Sequence, residues 1–67
     1  MTNEEIVQML QGLIGTTYAP SVKAHISDVT GRAVVIGPNE LHSKIFDPER
    51  VHIQADTNGI ITGFAFN

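Results

Sequence analysis

There is no cysteine anywhere in the 67 residues. That absence excludes disulfides, thiolate zinc sites, iron–sulfur clusters and thiol catalysis, and leaves stability to packing and hydrogen bonding. Cations are scarce as well. Lys23, Arg32, Lys44 and Arg50 stand against seven acidic side chains, for a formal charge of −3. Four scattered cations form no patch able to neutralise a run of phosphates or an anionic bilayer, so neither nucleic acid nor a membrane is an expected partner. Long apolar runs are missing too, with nothing near the ~20 residues that span a bilayer. The first residues, Met-Thr-Asn-Glu-Glu, lack the basic start and apolar stretch of a signal peptide. The chain reads as cytoplasmic, or as secreted if a signal peptide has been removed.

What is present amounts to one domain, residues 1–67, because a second would have no core of its own. A chain this short buries only about 60% of the surface its unfolded form exposes. A deep catalytic cleft or a cofactor cavity would take away much of that core, so the composition leans toward a surface function.

Thr2 followed by Glu5 is a capping-box pattern, and Ile6, Met9, Leu10, Leu13 and Ile14 follow at helical spacing. The first helix starts at Asn3 or Glu4. Gly12 and Gly15 end it, and Leu13-Ile14 closes over the core. A second helix is expected over about Ala19–Val29, capped by Thr17, with Pro20 in its first turn and Thr30-Gly31 as its stop. Its buried stripe is expected to be Val22, Ile26 and Val29. Arg32–Ile36 carries three β-branched or aliphatic residues in a row and reads as a buried strand. Val51–Ala55 alternates, with Val51, Ile53 and Ala55 facing the core and His52 and Gln54 facing water. Asp56-Thr57-Asn58-Gly59 is a strong turn, with Asn58-Gly59 suited to positive φ. Ile60–Phe66 then reads as a third strand hairpinning onto the second, with Gly63 marking a bulge or a close contact.

Between the first two strands lies Gly37–Arg50, about fourteen residues. Connections in small domains usually run about 4–6 residues. Pro38 and Pro48 argue against a helix there. A long loop costs conformational entropy without adding core, so it calls for a functional explanation.

The order of these features resembles the potato inhibitor I family of serine-protease inhibitors, including its bacterial and fungal branch. The resemblance covers roughly Leu10–Phe66. It rests on Gly12-Leu13-Ile14-Gly15, on the Val34-Val35-Ile36 strand running into Gly37-Pro38, and on Arg50-Val51-His52-Ile53-Gln54-Ala55-Asp56 followed by Asn58-Gly59-Ile60-Ile61. It implies an α+β two-layer sandwich. One main helix and a short N-terminal helix pack on a mixed three-stranded sheet, and a long exposed loop joins the first two, parallel, strands. It also implies that the loop enters a protease cleft like a substrate and is cut very slowly. Counted back from Arg50, the position resembling the family's P1 residue is Lys44. Ser43, His42 and Leu41 are then P2, P3 and P4, and Ile45 and Phe46 are P1′ and P2′. The expected reactive bond is Lys44–Ile45, and the binding loop is Leu41, His42, Ser43, Lys44, Ile45 and Phe46.

Lysine at P1 suits a trypsin-like protease with an acidic pocket, and Leu41 suits the apolar P4 pocket of a subtilisin-like one. Arg50 is the expected brace, with donors able to reach carbonyls or the Ser43 hydroxyl under the loop. The plainer alternative is a surface arginine paired with Asp47 or Glu49. Phe46 reads equally as an exposed contact residue and as a core anchor of the return leg. The chain departs from the family pattern at Ile45, where an acidic side chain is common, and at His52, where a second bracing arginine often stands. Phe66 occupies the region of a C-terminal cysteine. These changes imply a softer loop.

No cofactor and no metal is expected. His25, His42 and His52 fall in different elements, Ser43 beside His42 points its side chain the other way in an extended loop, and the histidine spacing matches no standard ligand pattern. The chain does not read as an enzyme. The rival reading is a non-inhibitory interaction module on the same scaffold, binding a partner through Leu41–Phe46 or forming a homodimer through Ile61, Phe64 and Phe66 on the third strand.

Overall fold

A computed structural model describes residues 1–67. Helix α1 spans Asn3–Met9 and is followed by a single 3₁₀ turn, Gln11–Leu13. Helix α2 spans Pro20–Thr30. The strands are β1, Val35–Ile36; β2, Val51–Ala55; and β3, Ile61–Phe66. They form one mixed sheet in the order β1-β2-β3, with β1 parallel and β3 antiparallel to β2. The expected α+β arrangement of a short and a longer helix on a mixed three-stranded sheet is the observed one.

Local chemistry explains where the elements begin and end. The Thr2 hydroxyl accepts from the Glu5 N–H at 3.1 Å, and the Glu5 carboxylate accepts from the Thr2 N–H at 2.7 Å, so two donors at the start of α1 are satisfied reciprocally. Those bonds hold the Glu5 carboxyl below its ordinary pKa. Helix α2 starts differently from the expectation. Its N-cap is Ala19, with no side-chain cap, and Pro20 fills the first turn, so Thr17 is not the cap. Thr17 instead bridges Ile60, and Gly15, Thr16 and Tyr18 bond to Ile61 and Gly59, lacing the connector to the start of β3. At the other end of α2, Gly31 adopts φ 73° and its N–H donates to the Ser27 carbonyl, which closes the helix.

The buried stripe of α2 follows the i, i+4 row from Val22 through Ile26 to Thr30. Val29 lies off that row and is exposed, contrary to the expected stripe. Thr30 tolerates burial because its hydroxyl donates to the Ile26 carbonyl at 2.6 Å. The seven buried apolar side chains come from every layer: Ile6 of α1 and Leu10 at its C-cap, Ile26 of α2, and Val35, Val51, Ile53 and Ile61 of the sheet. Leu13 packs against them, whereas Ile14 is exposed and does not close the core.

Strand β1 is shorter than Arg32–Ile36. Val35 pairs with Val51, the first residue of β2, so Ala33 and Arg32 have no strand opposite them; Val34 contributes only its carbonyl, to the Val51 N–H. Strand β2 has the expected bounds. In the hairpin turn, Gly59 has φ 78° but Asn58 does not have positive φ. Asp56 organises that turn: its carboxylate accepts the N–H groups of Asn58 and Ile60, each at 2.9 Å. A register shift lies at Gln54/Ala55, opposite the Ile61–Gly63 stretch. Ile61 is buried and Phe64 and Phe66 pack half-buried against the core, so these three side chains do not form a fully exposed apolar edge.

Candidate functional site

The parallel pairing of β1 with β2 obliges the chain to return to the same end of the sheet, and Gly37–Arg50 makes that return. It does so without helix or strand. The ascending leg opens with a turn in which Asn39 takes the left-handed conformation, φ 63°. The Glu40 carboxylate folds back to accept the Gly37 N–H at 2.7 Å and pairs with the Lys23 ammonium of α2 at 2.9 Å. Gly37 cannot be replaced freely, since a Cβ there would lie 2.5 Å from the Tyr18 hydroxyl and 3.0 Å from the Glu40 carboxyl. The Lys23 ammonium, and then the Gly37 N–H, hold the Glu40 carboxyl below its ordinary pKa. The same bond raises Lys23, and burial first, then the Glu40 charge, pushes the Tyr18 phenol up.

Beyond Glu40 the chain moves away from the body of the protein. Leu41 is fully exposed, Ile45 and Phe46 are 78% and 70% exposed, and Ser43 and Lys44 are also exposed. Phe46 is therefore not a core anchor. The His42 ring instead turns inward. It meets the His52 ring edge-on, with centroids 4.8 Å apart and planes at 78°, and its Nδ1 donates to the Ser43 carbonyl at 2.8 Å. His52 is half-buried under this contact rather than facing water. The Ser43 hydroxyl accepts the Ile45 N–H at 3.2 Å, the amide of the Lys44–Ile45 bond.

The return leg folds into a turn. The Asp47 carboxylate accepts the Glu49 N–H at 3.0 Å, and the Asp47 carbonyl accepts the Arg50 N–H at 3.1 Å. Arg50 is 7% exposed. Its Nη2 donates to the Ser43 carbonyl and to the Ile45 carbonyl, each at 3.0 Å, and to the Asn67 carbonyl. Its targets are thus the carbonyls on either side of Lys44, not the Ser43 hydroxyl. Neither Asp47 nor Glu49 is its partner; Glu49 pairs with Arg32. Nε of Arg50 is buried with no partner. No side-chain carboxylate pairs with the buried guanidinium; the backbone oxygens of Ser43, Ile45 and Asn67 meet its charge.

The sequence-expected residues therefore divide. Leu41, Lys44, Ile45 and Phe46 are presented outward; His42 and Ser43 bond within the loop; Arg50 sits beneath it; His52 supports it through His42. His25 is exposed on α2, in a different element from the other two histidines. No group of three or more His, Cys, Asp or Glu side chains is close enough to hold a metal ion, and no helix is long and apolar enough to cross a membrane. Sequence reasoning missed Lys23, Glu40, Arg32 and Asn3. Lys23 lies 17 residues from Glu40 and Arg32 lies 16 from Pro48, and no local pattern joins either pair. No known protein family, curated protein or solved structure matches this chain.

Proposed function

We propose that this protein is a substrate-like inhibitor of serine proteases, with Lys44–Ile45 as its reactive bond. The observation that carries the reading is the Arg50 guanidinium, bonded from below to both carbonyls that flank Lys44. A protease cleft reads an extended backbone and one deep side-chain pocket. A segment held from beneath loses little further freedom on binding. When the protease serine attacks the Lys44 carbonyl, Lys44 becomes the acyl group and Ile45 the leaving amine. Arg50 tethers the carbonyls of Ser43 and Ile45, one on each side of the break. The Ser43 hydroxyl lies beside the Ile45 nitrogen. The amine therefore stays next to the acyl-enzyme, and religation competes with hydrolysis.

The exposed lysine fits the acidic primary pocket of a trypsin-like enzyme, and the fully exposed Leu41 suits a subtilisin-like one. The expected outcome of titrating trypsin and subtilisin with the protein is loss of activity near equimolar ratio for at least one of them. Lys44→Ala is expected to weaken trypsin binding more than subtilisin binding while leaving the melting temperature unchanged. Rapid, complete cleavage after Lys44 with both proteases fully active would overturn the reading. Exposure of Leu41, Ile45 and Phe46 on one segment supports a second reading, a docking module for a non-protease partner. The same titration separates the two, because such a module leaves the proteases uninhibited.

A further inference from the structure

We propose that Arg32 is a second positioning residue of the loop, holding its return leg from outside as Arg50 holds its centre from beneath; this rests on the inhibitor reading. Arg32 lies just past the Gly31 cap of α2, and 89% of its side chain is hidden. Its Nη1 donates to the Pro48 carbonyl at 3.2 Å and pairs with the Glu49 carboxylate at 3.0 Å. Its Nη2 donates to the Asn3 side-chain oxygen at 2.7 Å and to the Met1 carbonyl at 3.2 Å. The guanidinium also lies 5.9 Å from the centre of the Phe66 ring. Asn3 completes the clasp by donating from Nδ2 to the same Pro48 carbonyl, at 3.2 Å.

These contacts place one planar cation at the junction of three chain segments: the start of α1, the end of β3 and the return leg. Only the return leg lacks regular structure, so it is the segment the clasp restrains most. Pro48 contributes no N–H of its own, and its carbonyl collects two donors, which fixes the peptide two residues before Arg50. Moving that peptide would move the Arg50 backbone and swing its guanidinium away from the carbonyls of Ser43 and Ile45. Arg32 thus acts through Arg50. It supplies a restraint at a loop where Ile45 offers no carboxylate and His52 no guanidinium. The planar fork matters because its two separated Nη groups reach Pro48 and Glu49 on one side and Asn3 on the other, whereas a lysine ammonium has all its donors on one nitrogen.

The test compares wild type, Arg32→Ala, Arg32→Lys, Glu49→Gln and a core variant, Ile53→Val, chosen to lower the melting temperature without touching the loop. Cleavage of Lys44–Ile45 by catalytic trypsin is followed, with kcat and KM measured separately. Arg32→Ala is expected to raise kcat for that bond on the order of tenfold over both wild type and Ile53→Val, the scale of one charged hydrogen bond. Arg32→Lys is expected to recover part of the change. Glu49→Gln, which leaves the Pro48 and Asn3 bonds intact, is expected to change it little. Amide exchange at Glu49 and Arg50, measured without protease, is expected to quicken in Arg32→Ala and not in Ile53→Val. If Arg32→Ala behaves like Ile53→Val in cleavage and in exchange, Arg32 is only a structural residue and the proposal falls. If wild type proves to be an ordinary substrate, the inhibitor reading fails on its own; the exchange comparison still decides whether Arg32 holds the return leg.

Discussion

Arg50 is the side chain whose chemistry is hardest to account for as ordinary surface. A buried guanidinium without a side-chain carboxylate is costly unless several acceptors meet it, and here three backbone oxygens do. Removing it takes the donor from the Ile45 and Asn67 backbone oxygens and leaves the Ser43 carbonyl with His42 Nδ1 alone. Arg50→Ala is expected to lower stability by ~1.5–3 kcal/mol, the range for hydrogen bonds to a charged group. Urea denaturation reads that loss. Trypsin cleavage of the Lys44–Ile45 bond is expected to accelerate in the same variant by more than the lost stability explains. Arg50 was legible in the sequence as a candidate brace at the foot of a strand, but its position alone fitted a surface arginine paired with Asp47 or Glu49 as well, and only the family resemblance favoured the brace. Which carbonyls it reaches was not legible, since the target is set by how residues 43–45 curve over it. His42 and His52 make the same point. Ten residues apart in sequence, they meet only because the loop returns across the start of β2.

At the scale of elements, the loop is a span pinned at both feet. Lys23 of α2 and Glu40 hold the ascending foot, and Arg32 with Asn3 holds the return foot. The stretch between the feet is Leu41–Phe46, held by Arg50 and by the His42–His52 contact. The ascending pin is pH-dependent, and its sign follows from the two pKa shifts. Glu40 is lowered in the folded protein, so its contribution is present above the ordinary carboxylate value of 4.5 and is lost as pH falls through the folded value. Lys23 is raised, so its contribution is present below 10.5 and is lost as pH rises through its folded value. Glu40→Gln is therefore expected to melt below wild type at neutral pH and to converge with it as pH drops below the carboxylate range. A difference that persists unchanged at pH 2 would exclude the ion pair as its origin. The elements themselves were largely readable: α2 and β2 follow from periodicity and from Gly31. Strand β1 was not, because its length depends on where β2 begins opposite it, not on the β-branched run Val34-Val35-Ile36.

The whole molecule is small, with a radius of gyration of 10.9 Å and seven buried apolar side chains. At roughly 0.05–0.15 kcal/mol per residue, a chain of this size has only ~3–10 kcal/mol of stability. Ile53 stands at 1% exposure in the middle of β2. Ile53→Ala is expected to cost ~2–5 kcal/mol, a large share of that total. Thermal melting should show a sharply lowered or non-cooperative transition. The sequence by itself determined the apolar periodicity, hence two helices and a sheet, and it determined that about fourteen residues between two strands had no core to join. It also placed a lysine, two aliphatic residues and a phenylalanine in that stretch. The tertiary structure decided which of them face outward and what holds them there. The pins and the brace join residues 5–45 positions apart, through Arg50, Lys23, Arg32 and Asn3. Such pairings leave no local period or spacing to read, because a charged side chain finds its partner only after the helices and sheet have closed around the same core.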